Sequence, residues 1–188
     1  MTITTNRLVL RNWELDDATQ LYEYAKREDF GLYSDVEPHS SIYESISFIK
    51  SWLNEKDYYA IYKKDENVLI GGIIIITNEF SNLTKEDDEC EIAFWIAKEH
   101  KNKFCFLEEA IKAIIIRAFD ALNMNSVWFE YFEEDKESKR IQEYLRFVEI
   151  EKILDIKMSP VIRKHIMYIN ILTKERWLNY KCQYKNEQ

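Results

Sequence analysis

Glycine and proline are nearly missing from this chain. Its 188 residues hold 3 glycines and 2 prolines, where average usage of about 7% and 5% would give roughly 13 and 9. The sequence therefore predicts a backbone kept out of positive φ almost everywhere, and any function that needs a glycine-lined loop must manage without one. The same scarcity excludes collagen-like chains, Gly/Ser linkers and proline-rich disorder. With 46% hydrophobic and 14% aromatic residues, general intrinsic disorder is excluded as well. The length predicts one domain over residues 1–188 with a sizeable core.

Other absences narrow the function. The three cysteines, Cys90, Cys105 and Cys182, are odd in number, far apart and without CxxC spacing. They make neither a disulfide framework nor a zinc knuckle. His39, His100 and His165 are equally scattered, so no metal site is expected. Excess positive charge is lacking too: Lys plus Arg is 26 against 34 for Asp plus Glu, a formal net charge of −8. Such a chain offers no electrostatic footprint for a phosphate backbone, and nucleic acid is not an expected partner. An acidic surface suits a small cationic substrate or a basic peptide, and it equally serves solubility. The longest apolar stretch, Val68 to Ile76, is nine residues with two glycines inside it, far below the roughly 20 of a membrane span. Polar Thr2, Thr4, Thr5 and Asn6 follow Met1, which is not a signal-peptide pattern. A cytoplasmic, reduced protein with no membrane partner is the expectation.

What is present is periodic. Arg7 to Asn12 alternates as a short strand. Asp16 and Asp17 open a helix with Ala18, Leu21, Tyr22 and Ala25 on one face. Ser41 and Glu44 form a capping-box pattern before a second stripe of Ile42, Ile46, Ile49 and Leu53, with Pro38 in the intervening turn. Tyr58 to Tyr62 and Val68 to Thr77 flank the polar turn Lys63 to Asn67 and predict a hairpin. After a polar, acidic loop over 78–88, Glu89 to Ile96 alternates again. Leu107 to Leu122 keeps a 3.6-residue period over four turns and is the strongest helix signal in the chain. A strand from Val127 to Phe132, a short helix near Asp135 to Leu145, a strand Phe147 to Leu154 and a last strand Arg163 to Leu172 follow. Thr173 caps a C-terminal helix carrying Trp177. The order β-α-α-β-β-β-α-β-α-β-β-α predicts an α/β (α+β) domain: a mixed, mainly antiparallel sheet of about seven strands with helices packed on it.

Several of these segments resemble the GNAT superfamily of N-acetyltransferases, in the branch of the ribosomal-protein alanine and spermidine acetyltransferases. Thr5-Asn-Arg-Leu-Val-Leu-Arg11 with Asp16-Asp17-Ala18 resembles that branch's first strand and helix. Tyr59-Ala-Ile-Tyr62 and Leu69-Ile-Gly-Gly72 are similar to its central hairpin. Glu91-Ile-Ala-Phe-Trp-Ile96 resembles its fourth strand, written E-I/L-G-Y-W-I. Glu109-Ala110 with Lys112-Ala-Ile-Ile115 resembles the helix after the cofactor loop. Asp135-x-x-Ser138-x-Arg140 and Glu143-Tyr-Leu-Arg-Phe147 resemble N-x-x-S-x-R…E-K-L-G-F. The pieces keep the family's order and cover about residues 5 to 177.

The resemblance implies acetyl transfer from acetyl-CoA to a primary amine: a protein N-terminus, a polyamine or another small amine. It implies that the pantetheine lies where the fourth and fifth strands splay, with the pyrophosphate on the amides of the next loop and helix N-terminus. Trp95, Ile96, Ala97, His100, Lys101, Lys103, Phe104, Cys105, Phe106, Asp135 and Ser138 are the cofactor-binding residues so implied. A homodimer is left open.

This chain departs from the family at its glycines. The loop Q/R-x-x-G-x-G/A reads His100-Lys-Asn-Lys103-Phe-Cys105, the fourth-strand glycine is Ala93, and the glycine before Phe147 is Arg146. The family's Asn is Asp135. Lys101 and Lys103 could replace amide contacts by charge, while Phe104 and Phe106 crowd the cradle. A non-catalytic binding or regulatory protein of the same fold, with weakened or lost CoA binding, is the alternative reading.

For catalysis, a base must take a proton from the amine before it attacks a thioester. Glu91 is the candidate; an exposed strand carboxylate in an acidic run is its other reading. Ser138 could meet the CoA sulfur or relay a proton, or simply cap its helix. Many relatives place an acidic Tyr one turn beyond Ser138, where this chain has Gln142, which supplies no proton. Trp128 and Tyr131 are candidates to line the acceptor cleft. Cys105 has no activating His or Asp at fixed spacing and reads as apolar filler.

Overall fold

The computed structural model describes residues 1–30, 37–77, 80–101, 106–158 and 163–185. The elements are β1 (Thr2–Thr4), β2 (Leu8–Asn12), α1 (Ala18–Ala25), α2 (Ile42–Trp52), β3 (Tyr58–Lys63), β4 (Val68–Thr77), β5 (Glu89–Ile96) and α3 (Phe106–Ile116). They continue with β6 (Ser126–Phe132), α4 (Lys136–Tyr144), β7 (Val148–Met158), β8 (Arg163–Thr173) and α5 (Lys174–Lys185). The strands are hydrogen-bonded in the order β1-β2-β3-β4-β5-β6-β8-β7. The β5–β6 pair is parallel, while β1–β2, β2–β3, β3–β4, β6–β8 and β7–β8 are antiparallel. The expected mixed, mainly antiparallel sheet is therefore present, with eight strands rather than about seven. The added strand is β1, short, polar and largely exposed. It carries no apolar alternation to read, and it forms because Thr2, Ile3 and Thr4 pair with Arg11, Leu10 and Val9.

The chain divides into two compact units. The first holds Met1–Ile74 and Phe94–Ile111, the second Ile75–Ala93 and Lys112–Gln188. In the first, β2 buries Leu8 and Leu10, and its Arg11 makes a two-pronged bond to buried Asp17, at 2.9 and 2.6 Å. Asp17 also accepts from the Tyr62 hydroxyl at 2.7 Å. One turn of 3₁₀ helix over Leu15–Asp17 leads into α1, whose Ala18, Leu21 and Ala25 are buried as the spacing predicts. On α2 the capping box is displaced by one residue. Ser41 makes no side-chain cap bond; Glu44 accepts instead from the Ser40 amide and hydroxyl. The buried stripe uses Ser45 and Ile49, and Leu53, expected on it, is exposed.

Two of the three glycines meet in β4 at a close approach. A Cβ on Gly71 would lie 2.4 Å from the Trp95 carbonyl oxygen, and one on Gly72 would lie 2.7 Å from the Trp95 indole nitrogen. Gly31 falls outside the described residues.

In the second unit, Val127, Phe129, Ile141, Leu145, Phe147 and Leu172 are buried. The long helix differs from expectation. The α-helix ends at Ile116, and a wider π-type turn covers Arg117–Ala121, where Leu122 N–H reaches back to Arg117 O at 3.0 Å. Ala118 and Phe119 in that turn are buried. Positive φ is not avoided altogether: Asn67, Asn123 and Arg146 adopt it at 50°, 57° and 67°. Asparagine tolerates this conformation best among non-glycine residues, and Asn67 closes the β3–β4 turn.

Candidate active site

The parallel β5–β6 pair joins Glu89 to Ser126, Cys90 to Val127 and Glu91 to Trp128. Its start is set by Asn125 N–H, which donates to Asp88 O at 2.7 Å. The pairing stops at Glu91 and Trp128, though β5 runs on to Ile96 and β6 to Phe132. Strand alternation places Cys90, Ile92, Val127, Phe129 and Tyr131 on one face of this pair. Glu89, Glu91, Ser126, Trp128 and Glu130 share the other.

On that second face Glu91 is 8% exposed. Its Oε2 accepts from Ser81 Oγ at 2.7 Å. Burial pushes the carboxyl's pKa up, and the Ser81 bond pulls it partly back. Glu130 is shifted further: burial first, then the negative charge of Glu91, raise it to about 7. Among the described residues, no lysine or arginine offsets either carboxylate. Both carboxyls on this strand face thus hold a proton more readily than an ordinary carboxylate. Glu89, by contrast, accepts from the Lys85 amide at 2.9 Å and the Ser126 hydroxyl at 3.0 Å, and its pKa falls below the usual range despite some burial.

The other expected residues of this unit are placed as follows. Trp128 faces the side of Glu91. Tyr131, three residues on, points to the opposite side and stacks on Tyr168 with ring centroids 5.2 Å apart. The pair expected to line one cleft is therefore split by the pleat. Asp135 is the N-cap of α4: its carboxylate accepts from Ser138 N–H at 3.2 Å. Ser138 is buried but is not the cap. Asp135 thus performs the capping task an Asn would, through an oxygen acceptor, and lacks the amide donor.

Gln142, one turn beyond Ser138, is 2% exposed, and neither its Nε2 nor its Oε1 has a partner among the described residues. α4 ends in a Schellman motif. Phe147 N–H bonds Gln142 O at 3.0 Å and Arg146 N–H bonds Glu143 O at 3.2 Å, with Arg146 at positive φ where glycine is usual.

In the first unit, the Trp95 ring lies among Trp13, Tyr24 and Phe30, at centroid distances of 6.4, 6.1 and 5.4 Å. Ala97 N–H is occupied by Ile70 O at 2.8 Å. Ile96 ends β5, half-buried. His100 and Lys101 sit in a turn closed by His100 N–H to Ala97 O at 2.8 Å and Lys101 N–H to Lys98 O at 3.3 Å. Phe106 begins α3 with the Arg7 guanidinium 4.9 Å over its ring. In the first turn, Glu109 is neutralised by Arg7 Nε at 2.7 Å and accepts from Thr5 Oγ1 at 2.5 Å. Lys103, Phe104 and Cys105 lie outside the described residues.

Sequence reasoning missed Ser81 and Glu130. Ser81 sat unmarked in a polar loop. Period-2 counting along β6 would have put Glu130 on the face of Trp128 and Glu91. Among the described residues, no group of three or more His, Cys, Asp or Glu could hold a metal ion.

Residues 7–148 match the family model described as Acetyltransferase (GNAT) domain. The chain belongs to this family. It is 26% identical over 151 residues to the uncharacterized N-acetyltransferase p20 of Bacillus licheniformis, covering 78% of this chain and 82% of that one. Its fold is similar to a GNAT-family acetyltransferase of Bacillus anthracis, with TM-score 0.79, 19% identity and coverage of 93% and 99%. It is also similar to the spermidine N-acetyltransferase of Vibrio cholerae solved with CoA and spermine, with TM-score 0.75, 19% identity and coverage of 93% and 99%. The GNAT fold expected from the sequence is thus found. No described helix is long and apolar enough to cross a membrane.

Proposed function

We propose that this GNAT protein is an N-acetyltransferase acting on a primary amine, with Glu91 as the proton acceptor and residues 1–188 as one catalytic domain. The observation that carries the reading is the burial of Glu91 against the Ser81 hydroxyl, its one donor among the described residues, beside Glu130, where the β5–β6 pairing ends. A buried carboxylate with raised proton affinity is matched to deprotonating an ammonium near neutral pH.

Acetyl-CoA, when bound, supplies the acetyl thioester. The Glu91 carboxylate takes one proton from the incoming ammonium and leaves the nitrogen lone pair available for attack. With Gln142 rather than a tyrosine one turn after Ser138, the second nitrogen proton, released as the amide forms, passes through water to the departing thiolate, so that the thiol leaves neutral. The chain's net charge of −8 favours a cationic acceptor, a polyamine or a protein N-terminus.

Gln142 supports the cofactor assignment. A pantetheine arm carries amide donors and acceptors, and the Gln142 side chain offers one of each, buried and unpartnered among the described residues. Trp95, Ile96, Ala97, His100, Lys101, Lys103, Phe104, Cys105 and Phe106 stay proposed cofactor-binding residues on the family resemblance alone.

A non-catalytic binding protein is the competing reading, and its ground is the filled glycine positions. Arg146 bears on it: the backbone there holds the left-handed conformation without glycine. A filled glycine position is therefore not, by itself, a lost conformation. Calorimetry with acetyl-CoA, followed by thiol release with a panel of amines, tests the assignment. Binding and amine-dependent thiol release support it; no heat at millimolar acetyl-CoA refutes it.

A further inference from the structure

We propose that Ser81 is a positioning residue for Glu91, holding its carboxylate in the proton-accepting state through a hydroxyl hydrogen that has nowhere else to go. The inference rests on the reading of Glu91 as the base. A serine oxygen carries two lone pairs and one hydrogen. Here Leu83 N–H and Thr84 N–H donate to Ser81 Oγ at 3.0 and 3.1 Å. Both lone pairs are taken, so the hydrogen points along the 2.7 Å vector to Glu91 Oε2. An ionised Oε2 welcomes it. A proton on Oε2 would face the serine's own hydrogen.

The segment carrying Ser81 is held at a second place. Lys85 N–H and Glu86 N–H donate to Glu89 Oε2 at 2.9 and 3.4 Å, so the loop is stapled to β5 at Glu89 and at Glu91. That double attachment fixes the donor relative to the acceptor and limits the entropy lost when the bond forms. Among the described residues, the charged groups on the strand face of Glu91 are Glu89 on its own strand and Glu130 on β6, both acidic; neither favours its ionised form. Ser81 is the one group among the described residues that the structure sets against burial in its effect on Glu91.

The test compares wild type with Ser81→Ala and Ser81→Thr. Carboxyl ¹³C NMR titration of Glu91 in the whole protein reads its pKa whether or not turnover is found. Expected is a rise of about one pH unit in Ser81→Ala, as for loss of one hydrogen bond to a carboxylate, with the wild-type value restored in Ser81→Thr. The acidic limb of kcat/KM should move by the same amount, giving up to about tenfold lower rates below the limb and near wild-type rates above it. An unchanged Glu91 titration in Ser81→Ala overturns the proposal, as does a rate loss equal at all pH values. Absence of wild-type turnover would instead sink the acetyltransferase reading while the titration still decides Ser81. Thermal melting of each variant separates these results from unfolding, and Ser81→Thr keeps the comparison valid if Ser81→Ala melts early.

Discussion

Burial, and then the charge of Glu91 on the same face of the β5–β6 pair, push the pKa of Glu130 up to about 7 from an ordinary 4.5. A carboxyl that binds its proton more tightly when folded than when unfolded makes folding less favourable as pH climbs between those two values. Stability should therefore fall from about pH 4.5 to about pH 7 through this group, and the loss should be complete above pH 7. Glu130→Gln removes the titration. Chemical denaturation at several pH values should show the variant more stable than wild type at pH 8, by on the order of 1–3 kcal/mol, with little difference at pH 4.

Gln142 links stability to ligand. A buried amide without partners costs about 1–3 kcal/mol. Gln142→Leu should raise the melting temperature of the ligand-free protein and lower its affinity for acetyl-CoA, two changes of opposite benefit. Melting curves with and without acetyl-CoA read both. A variant less stable in the absence of ligand would show that the amide serves the fold.

Arg146 holds a left-handed conformation that costs an L-residue about 1–2 kcal/mol, partly offset by glycine's greater unfolded entropy. Its side chain is exposed. Arg146→Gly should stabilise the protein by about 1 kcal/mol, measured by denaturant midpoint at unchanged slope.

Gly71 meets backbone and Gly72 meets side chains. Gly71→Ala would press a methyl group onto the Trp95 carbonyl oxygen at 2.4 Å, whereas Gly72→Ala meets indole atoms at 2.7 and 3.0 Å. Ring atoms yield more readily than a strand carbonyl. Thermal melting should rank Gly71→Ala below Gly72→Ala, with Gly71→Ala losing about 2 kcal/mol or more.

Much of the fold was legible because its periods are strong. Leu107, Ala110, Ile111, Ile114 and Ile115 repeat at helical spacing and all are buried. Glu89–Ile96 alternates and is β5 within the same bounds. What escaped was set by partners distant in sequence. β1 exists through its pairing with β2. The π-type turn after Ile116 changes phase within an unbroken apolar pattern. Glu91 was legible as a candidate, but its hydrogen bond to Ser81 crosses a polar loop with no motif. Trp128 and Tyr131, offered together for one cleft, lie on opposite faces of β6, because residues three apart on a strand face opposite ways. Of the filled glycine positions, Arg146 shows how one is accommodated, while Lys103 and Cys105 lie outside the described residues. At Arg146 the backbone keeps the glycine-like conformation, and Gly71 and Gly72 are spent on the close approach of Trp95.

Acetyl-CoA-dependent thiol release, followed with a panel of polyamines and N-terminal peptides in wild type and Glu91→Gln, tests the account most directly. The account predicts amine-dependent release in wild type, reduced about 10²–10⁴-fold in Glu91→Gln, with acetyl-CoA affinity unchanged by calorimetry. Wild-type turnover undiminished by Glu91→Gln, or no binding of acetyl-CoA at all, would contradict it.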